Sequence, residues 1–343
     1  MKIKERLNYI KEKAIIKTLE IKAKLLQKSF ICNALAGDSY YNISINSDLG
    51  ISCHCNDWKG VGKIGNLKKN KLIQIFNNKK TNMIRKNLAN QKIPLINCCY
   101  CSDLKLTDKK TAKEYAKKFN TPNKGIMIEN TNLCNLNCLS CQRKKINSLR
   151  KQHFFTNKDI LRVAKTLKEN KIKNVVFFTL GEPFLSKNIE NELKTIRKYN
   201  QDISIVTSTN GMLIGKNKIN AALLFNQIYF SIHGSDQKTA EKYQKNIDFN
   251  KSYNNMKKLA DIIDSKKLKQ PKIIWKYVLF NWNDSKKSVK QAIQLAKKTK
   301  IDKIIFEKTL YPTIGISLKY LLNLGYLNKI GKFRNKQLVI ELK

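Results

Sequence analysis

Three cysteines fall within eight positions of the stretch ENTNLCNLNCLSCQR: Cys134, Cys138 and Cys141. A structural zinc site closes with four ligands and a disulfide uses two sulfurs, so three thiols on one short segment suit neither. Three thiolates can hold three corners of a cubane iron–sulfur cluster and leave the fourth iron open to a ligand. The competing chemistry is zinc completed by a distant side chain, with His153 the nearest candidate. A second stretch, FFTLGEPFL, offers Gly181, Glu182 and Pro183. Glycine there lets backbone approach a ligand closely, and the carbonyls and carboxylate are acceptors for an ammonium group. The six remaining cysteines are Cys32, Cys53, Cys55, Cys98, Cys99 and Cys101. Nine is an odd number, and all but Cys32 are tightly clustered, which points to metal binding rather than disulfides.

The elements that must position these groups follow from periodicity. Residues 1–30 read as a basic amphipathic helix, with Ile3, Leu7, Ile10, Ala14, Ile21 and Leu25 forming one stripe expected to pack on the protein. Residues 31–115 read as a small Cys-rich α+β domain. It holds a hairpin turning at Ser47–Gly50 and short helices at 71–78 and 81–90. Its few apolar residues suggest that a metal holds it together. From 116 to 310 a βα rhythm sets in. Strands are expected at 125–130, 174–180, 203–209, 227–234, 272–280 and 302–308, as apolar runs of the buried parallel kind. Thr156 with Asp159 makes a capping box for one intervening helix, and Ser186 is a candidate cap for another. Six alternating units predict an α/β fold, a partial parallel (β/α)6 TIM-like barrel. Both motifs then lie just past strand ends, where parallel α/β folds place their chemistry. Residues 311–343 are a C-terminal extension, either a helix closing the barrel mouth or a cap over substrate.

C-x-x-x-C-x-x-C after the first strand, with GEP after the second, resembles the radical S-adenosylmethionine (SAM) superfamily over roughly residues 120–310. The resemblance implies that Cys134, Cys138 and Cys141 hold a [4Fe–4S] cluster and that SAM chelates its open iron. It further implies that one electron cleaves SAM to methionine and a 5′-deoxyadenosyl radical, which abstracts hydrogen from substrate. Gly181, Glu182 and Pro183 would meet the methionine amino group. Among the polar residues at later strand ends, Ser208, Ser231 and Asn281 would contact SAM, whereas His233 is not assigned a catalytic role. A reducing partner such as flavodoxin or ferredoxin is implied as well. Two positions depart from the common pattern: Leu180 stands where a first glycine is usual, and Ser140 where an aromatic is usual before the third cysteine. The segment from Cys32 to Cys101 resembles a SPASM-type auxiliary domain. Its implied ligands for a second [4Fe–4S] cluster are Cys32, one of Cys53 or Cys55, Cys98 and Cys101, with a structural zinc ribbon as the alternative.

Lys and Arg number 68 against 25 Asp and Glu, a formal net charge of +43. That charge suits nucleic acid, an anionic glycan or a membrane surface. Nearly all of it is Lys spread along the whole chain beside abundant Asn and Ile, so a codon-composition bias is the preferred reading. No run is long and apolar enough to span a membrane, and no secretory signal opens the chain, so a cytoplasmic, thiol-reducing location is expected. The resulting expectation is a radical SAM enzyme acting on a sugar-linked or small polar substrate. A peptide- or protein-modifying maturase is the alternative within the family. The alternative outside it is a non-enzymatic zinc protein that binds nucleic acid.

Overall fold

The computed structural model describes residues 3–55, 57–117 and 119–343, without the side chains of residues 3–8 and 216. Ile3 and Leu7 of the predicted stripe therefore lie outside the described side chains. The chain divides into two compact units. The first is Met1–Asn130, Lys145–Thr179 and Thr195–Ile203; the second is Thr131–Lys144, Leu180–Lys194 and Ser204–Lys343.

In the first unit, strands β1 (Lys28–Cys32), β2 (Ser44–Ile45), β3 (Gly50–Ser52), β4 (Lys63–Asn66), β5 (Leu104–Asp108), β6 (Gly125–Ile128) and β7 (Asn174–Val176) form two sheets. One is the antiparallel pair β1–β5, and the other runs β7-β6-β2-β3-β4. β6 is buried along its whole length and runs parallel to both β7 and β2, which explains its unbroken apolar sequence. β2 and β3 are the expected hairpin. Its turn closes through the Asn46 N–H to Gly50 O (2.8 Å) and the Leu49 N–H to Asn46 O (2.8 Å). Helices Leu72–Phe76 and Lys79–Ala89 lie where the sequence suggests. Helix Asn157–Glu169 opens on the predicted capping box and buries Ile160, Val163, Ala164 and Leu167 at helical spacing. β7 stops at Val176, short of the predicted 180. Beyond it the chain leaves the ladder, and Thr179 turns its hydroxyl to Glu129 (2.8 Å).

The N-terminal helix, Ile3–Leu25, forms, but the described part of its predicted stripe does not pack. Ile10, Ile21 and Leu25 are exposed, and only Ala23 of the helix's described apolar residues is fully buried. The three- and four-residue spacing held; the side of the helix that meets the protein did not follow from it.

In the second unit, β8 (Ser204–Thr209), β9 (Gln227–Ser231), β10 (Lys272–Leu279) and β11 (Lys303–Lys308) run parallel in sequential order. β12 (Gln337–Glu341) adds an antiparallel edge to β11. Helices Phe249–Ser265 and Lys286–Lys298 follow β9 and β10, capped by Asp248 and Ser285. They bury Met256, Leu259, Ala260 and Ile263, and Val289, Ala292 and Ala296. Trp275 and Tyr277 of β10 are fully buried. Residues 311–343 are not a single helix: they give two short helices, Leu318–Leu321 and Tyr326–Ile330, and the edge strand β12. The fold is mixed α/β with mostly parallel strands. Among the described residues, no helix is long and apolar enough to cross a membrane.

Candidate functional site

The cysteine loop is held by backbone rather than by regular structure. The Asn137 N–H donates to Lys245 O (3.0 Å) and the Leu139 N–H to Tyr243 O (2.9 Å), so residues 243–245 run beside it as a short brace. Tyr243 also pairs its hydroxyl with Ser140 Oγ (3.2 Å) and stacks on Phe280 at 4.6 Å. An aromatic ring thus meets position 140 from another segment, where the common pattern would place one at 140 itself. Gln244 anchors the brace, accepting from the His233 N–H (2.7 Å) and donating to Ser231 O (2.8 Å). Cys134 Sγ accepts from the Leu136 N–H (3.4 Å), with the Asn210 amide at 3.9 Å. Burial raises the Cys134 thiol to about 11 and the Cys138 thiol to about 12. Each is raised further by neighbouring thiols and lowered by the Arg143 guanidinium. Three thiols that feel one another's charge, N–H groups aimed at one of them and a nearby cation are a donor set suited to thiolate–metal bonding.

Glu182 ties the GEP turn to this loop. Its own N–H donates to Leu133 O (2.8 Å). Its carboxylate accepts from the Phe184 N–H (3.1 Å), Thr209 Oγ1 (2.8 Å) and the Asn210 N–H (2.8 Å). Burial raises its pKa despite these donors and Lys218. Three of the roughly four acceptor positions of a carboxylate are therefore taken by the chain itself. Through the Thr209 and Asn210 bonds Glu182 fixes the end of β8. Asn210, not chosen from sequence, joins the two motifs by also donating to Asn135 Oδ1 (2.9 Å). Gly181 is also required as glycine by the chain itself. A Cβ there would lie 2.0 Å from Thr131 O, so the backbone opening the cysteine loop occupies the space.

Ser208 and Ser231 are brought together across β8 and β9, with their hydroxyls 2.8 Å apart. Asn281 instead braces the C-terminal segment, its amide donating to Ile314 O (2.9 Å) and its N–H to Gly315 O (3.1 Å). His233 is buried and accepts the Val278 N–H at Nδ1 (3.2 Å), a bond that requires the neutral ring. Burial, with Lys276 adding repulsion, lowers its pKa from 6.5 to about 3. The unfolded chain then binds the proton that the folded one refuses. The contribution is intact above pH 6.5 and is lost as pH falls toward 3. Between pH 7 and 5 this residue should remove about 2 kcal/mol of unfolding free energy. Denaturant titrations at both pH values should show that loss in the parent and not in His233→Gln. An equal pH slope in the two proteins would reject the assignment.

One buried group near the motifs was missed from sequence. Glu129, the residue just past β6, is fully buried and pairs with Arg150 Nε at 2.8 Å. The same carboxylate accepts from the Ser47 N–H (3.1 Å), Ser47 Oγ (3.1 Å) and Thr179 Oγ1 (2.8 Å). A carboxylate directly after the apolar run GIMI was the available signal.

In the first unit, Cys32, Cys53, Cys98 and Cys101 line one small cavity with Leu35, Ile84 and Leu104. Burial raises all four thiols, and the Cys53 thiol feels each of the other three. Cys55 and Cys99 are not part of that lining; the charged neighbour of Cys99 is Glu20. Among the described residues, no three His, Cys, Asp or Glu side chains form a ready single-ion site.

Residues 128–268 match the family model described as the Radical SAM superfamily. This stretch is a radical SAM domain. It is the domain of an enzyme superfamily, and it carries the cysteine loop, the GEP turn, Asn210, Ser208, Ser231 and the 243–245 brace. A curated relative, a probable GTP 3′,8-cyclase of Pyrococcus horikoshii, is 29% identical over 133 residues. That match covers 39% of this chain and 41% of the relative, so the chain spans about two fifths of its length. Streptococcus suis SuiB is 18% identical with a TM-score of 0.46, covering 63% of this chain and 49% of that one. The structure titled native anSMEcpe with bound AdoMet and Kp18Cys peptide is 18% identical with a TM-score of 0.44, covering 59% of each chain.

Proposed function

We propose that this protein is a radical SAM enzyme in which Cys134, Cys138 and Cys141 hold a [4Fe–4S] cluster beside a SAM site. The carrying observation is that the GEP turn and the cysteine loop are tied together through Glu182, Asn210 and Asn135 within the stretch matching the family. Bound there, the cluster would supply the electron that cleaves SAM to methionine and a 5′-deoxyadenosyl radical. The chain's own part is positional. The 243–245 brace fixes the loop, Glu182 fixes the end of β8, and Ser208 and Ser231 present a joined pair of hydroxyls. Gly181, Glu182, Pro183, Ser208 and Ser231 are the proposed SAM contacts, on strands read as those of a partial (β/α)6 barrel. Asn281 remains in that set only by resemblance, since its amide is engaged with Ile314.

The reading gives the N-terminal segment a second, fully ligated [4Fe–4S] cluster on Cys32, Cys53, Cys98 and Cys101 in a SPASM-like domain. The shared cavity supports Cys53 over Cys55 as its ligand. Four protein ligands suit electron transfer or structural support rather than SAM chemistry. The substrate class favoured is a sugar-linked or small polar metabolite carrying negative charge, to which the +43 chain is complementary. The reduced electron donor would be of the flavodoxin or ferredoxin type, in a thiol-reducing compartment.

Anaerobic reconstitution, metal counting and assay of 5′-deoxyadenosine after adding dithionite and SAM test the proposal. About eight irons with product are expected for two cubane clusters. About four irons with product would leave the radical site and remove the second cluster. Zinc with no product would sink the enzyme reading and favour a zinc protein acting through its charge.

A further inference from the structure

The segment after β11 carries a combination of groups that the proposed reaction does not use. From Lys308 to Ile340 there is no Asp or Glu, while Lys308, Lys319, Lys329, Lys332, Arg334 and Lys336 are all cationic. The same stretch leaves large apolar side chains in water: Tyr311 at 71% exposure, Ile314 at 71%, Leu318 at 65%, Leu322 at 63% and Leu324 at 71%. Such side chains are usually scattered singly on a soluble surface; here they are gathered within fourteen residues.

Two recesses adjoin in this segment. One is an open cleft of ≈ 690 Å³ whose lining mixes Lys308, Lys332, Lys336, Asn323 and Asn328 with Ile330 and Phe333. The other is an apolar cavity of ≈ 110 Å³ lined by Leu279, Leu310, Tyr320 and Leu321. Lys308 and Lys336 belong to both, and the Lys308 N–H donates to Lys336 O (2.9 Å). The Lys308 ammonium sits 4.3 Å over the Phe333 ring and donates to Asn323 Oδ1 (2.7 Å). The nearby carboxylates are already engaged: Asp284 with Lys319 (3.2 Å) and Ser317 (2.5 Å), and Glu307 with Lys276 (3.0 Å). A cationic compartment opening onto an apolar one fits an amphiphile with an anionic head.

The charge also sorts the occupants. A second copy docking symmetrically would set this acid-free patch against itself, cation facing cation. An anionic bilayer satisfies both halves: headgroup phosphates take the lysines, and the protruding Leu, Ile and Tyr side chains enter the interface. We infer that residues 308–336 form a docking surface for an anionic lipid bilayer, on which the protein lies without spanning it. Lys308, Lys332 and Lys336 gather headgroup phosphate, and Tyr311, Ile314, Leu318, Leu322 and Leu324 enter the acyl boundary.

Vesicle flotation of the full chain tests this, with vesicles of phosphatidylcholine alone or with about one third phosphatidylglycerol. Binding should require the anionic lipid. Leu322→Gln/Leu324→Gln leaves the charge unchanged and alters only exposed positions, and should weaken binding at least about tenfold. Ile314→Gln is the second variant, and thermal melts confirm that each is folded. Absence of binding to anionic vesicles overturns the inference, and so does capture of an acidic protein in place of vesicles. Equal binding by parent and both variants overturns it by showing charge adsorption alone. Inorganic phosphate displacing the protein from vesicles at about equal concentration to lipid phosphate would show a soluble phosphate site instead, since bilayer docking resists it. None of these outcomes depends on SAM cleavage.

Discussion

Cys138→Ala should abolish reductive cleavage of SAM while leaving the N-terminal iron in place, and Cys101→Ala should do the reverse. Cys138 is the central member of the loop, and its thiol is coupled to both Cys134 and Cys141. Removing it leaves two ligands where a cubane needs three to keep one iron open. Under the proposed reading, 5′-deoxyadenosine formation should fall to background, with about half of the reconstituted iron retained. Cys101 lines the separate N-terminal cavity with Cys32, Cys53 and Cys98. Its loss should remove the other half of the iron and leave some cleavage that is uncoupled from substrate. Iron per chain and 5′-deoxyadenosine, measured on the same anaerobic samples, separate the cases. Cleavage that survives in Cys138→Ala would show the site assignment to be wrong. A parallel pair, Cys53→Ala and Cys55→Ala, should lower iron only in the first.

The second large effect is on stability. Arg150→Ala should cost about 3–5 kcal/mol, because it leaves the Glu129 carboxylate buried without its cation. The two side chains are 5% and 0% exposed, so water does not reach in to replace the guanidinium. Ser47 and Thr179 would remain as neutral donors to that carboxylate, which sets the loss within the range rather than above it. Removing both charges together in Glu129→Gln/Arg150→Met should recover most of the loss, since a neutral pair no longer pays the burial of an isolated ion. Anaerobic denaturant unfolding of the three proteins measures this. A change of less than about 1 kcal/mol in Arg150→Ala would show that the pair behaves as an exposed one.

Much of this protein was legible from residue order alone, and the reason is locality. Strands β6 and β8–β11 coincide with the predicted runs to within about three residues: β6 is buried and apolar throughout, and β8 and β9 place buried side chains at every second position. The Thr156–Asp159 cap and the Ser47–Gly50 turn were readable because both are closed by groups only three or four residues apart. The C-x-x-x-C-x-x-C spacing and the GEP stretch are likewise local, and both lie within the residues that match the radical SAM family model.

What sequence could not supply was direction and long-range pairing. The N-terminal helix has the expected period, yet Ile10, Ile21 and Leu25 of its stripe stand in water, since a period does not say which side meets a neighbour. Asn281 and Asn210 both follow strands and are alike as residue types. Only the fold turns Asn210 to Glu182 and Asn135, and Asn281 to Ile314. Gly181 and Thr131 are fifty residues apart, so their contact was invisible until the chain brought two strand ends together. Cys53 and Cys55 are two positions apart, yet it is Cys53 that lines the cavity with Cys32, Cys98 and Cys101. The sequence determined which groups are present and what local structure each prefers. Tertiary structure decided which of them meet, because burial and hydrogen bonding select partners by distance in space rather than along the chain.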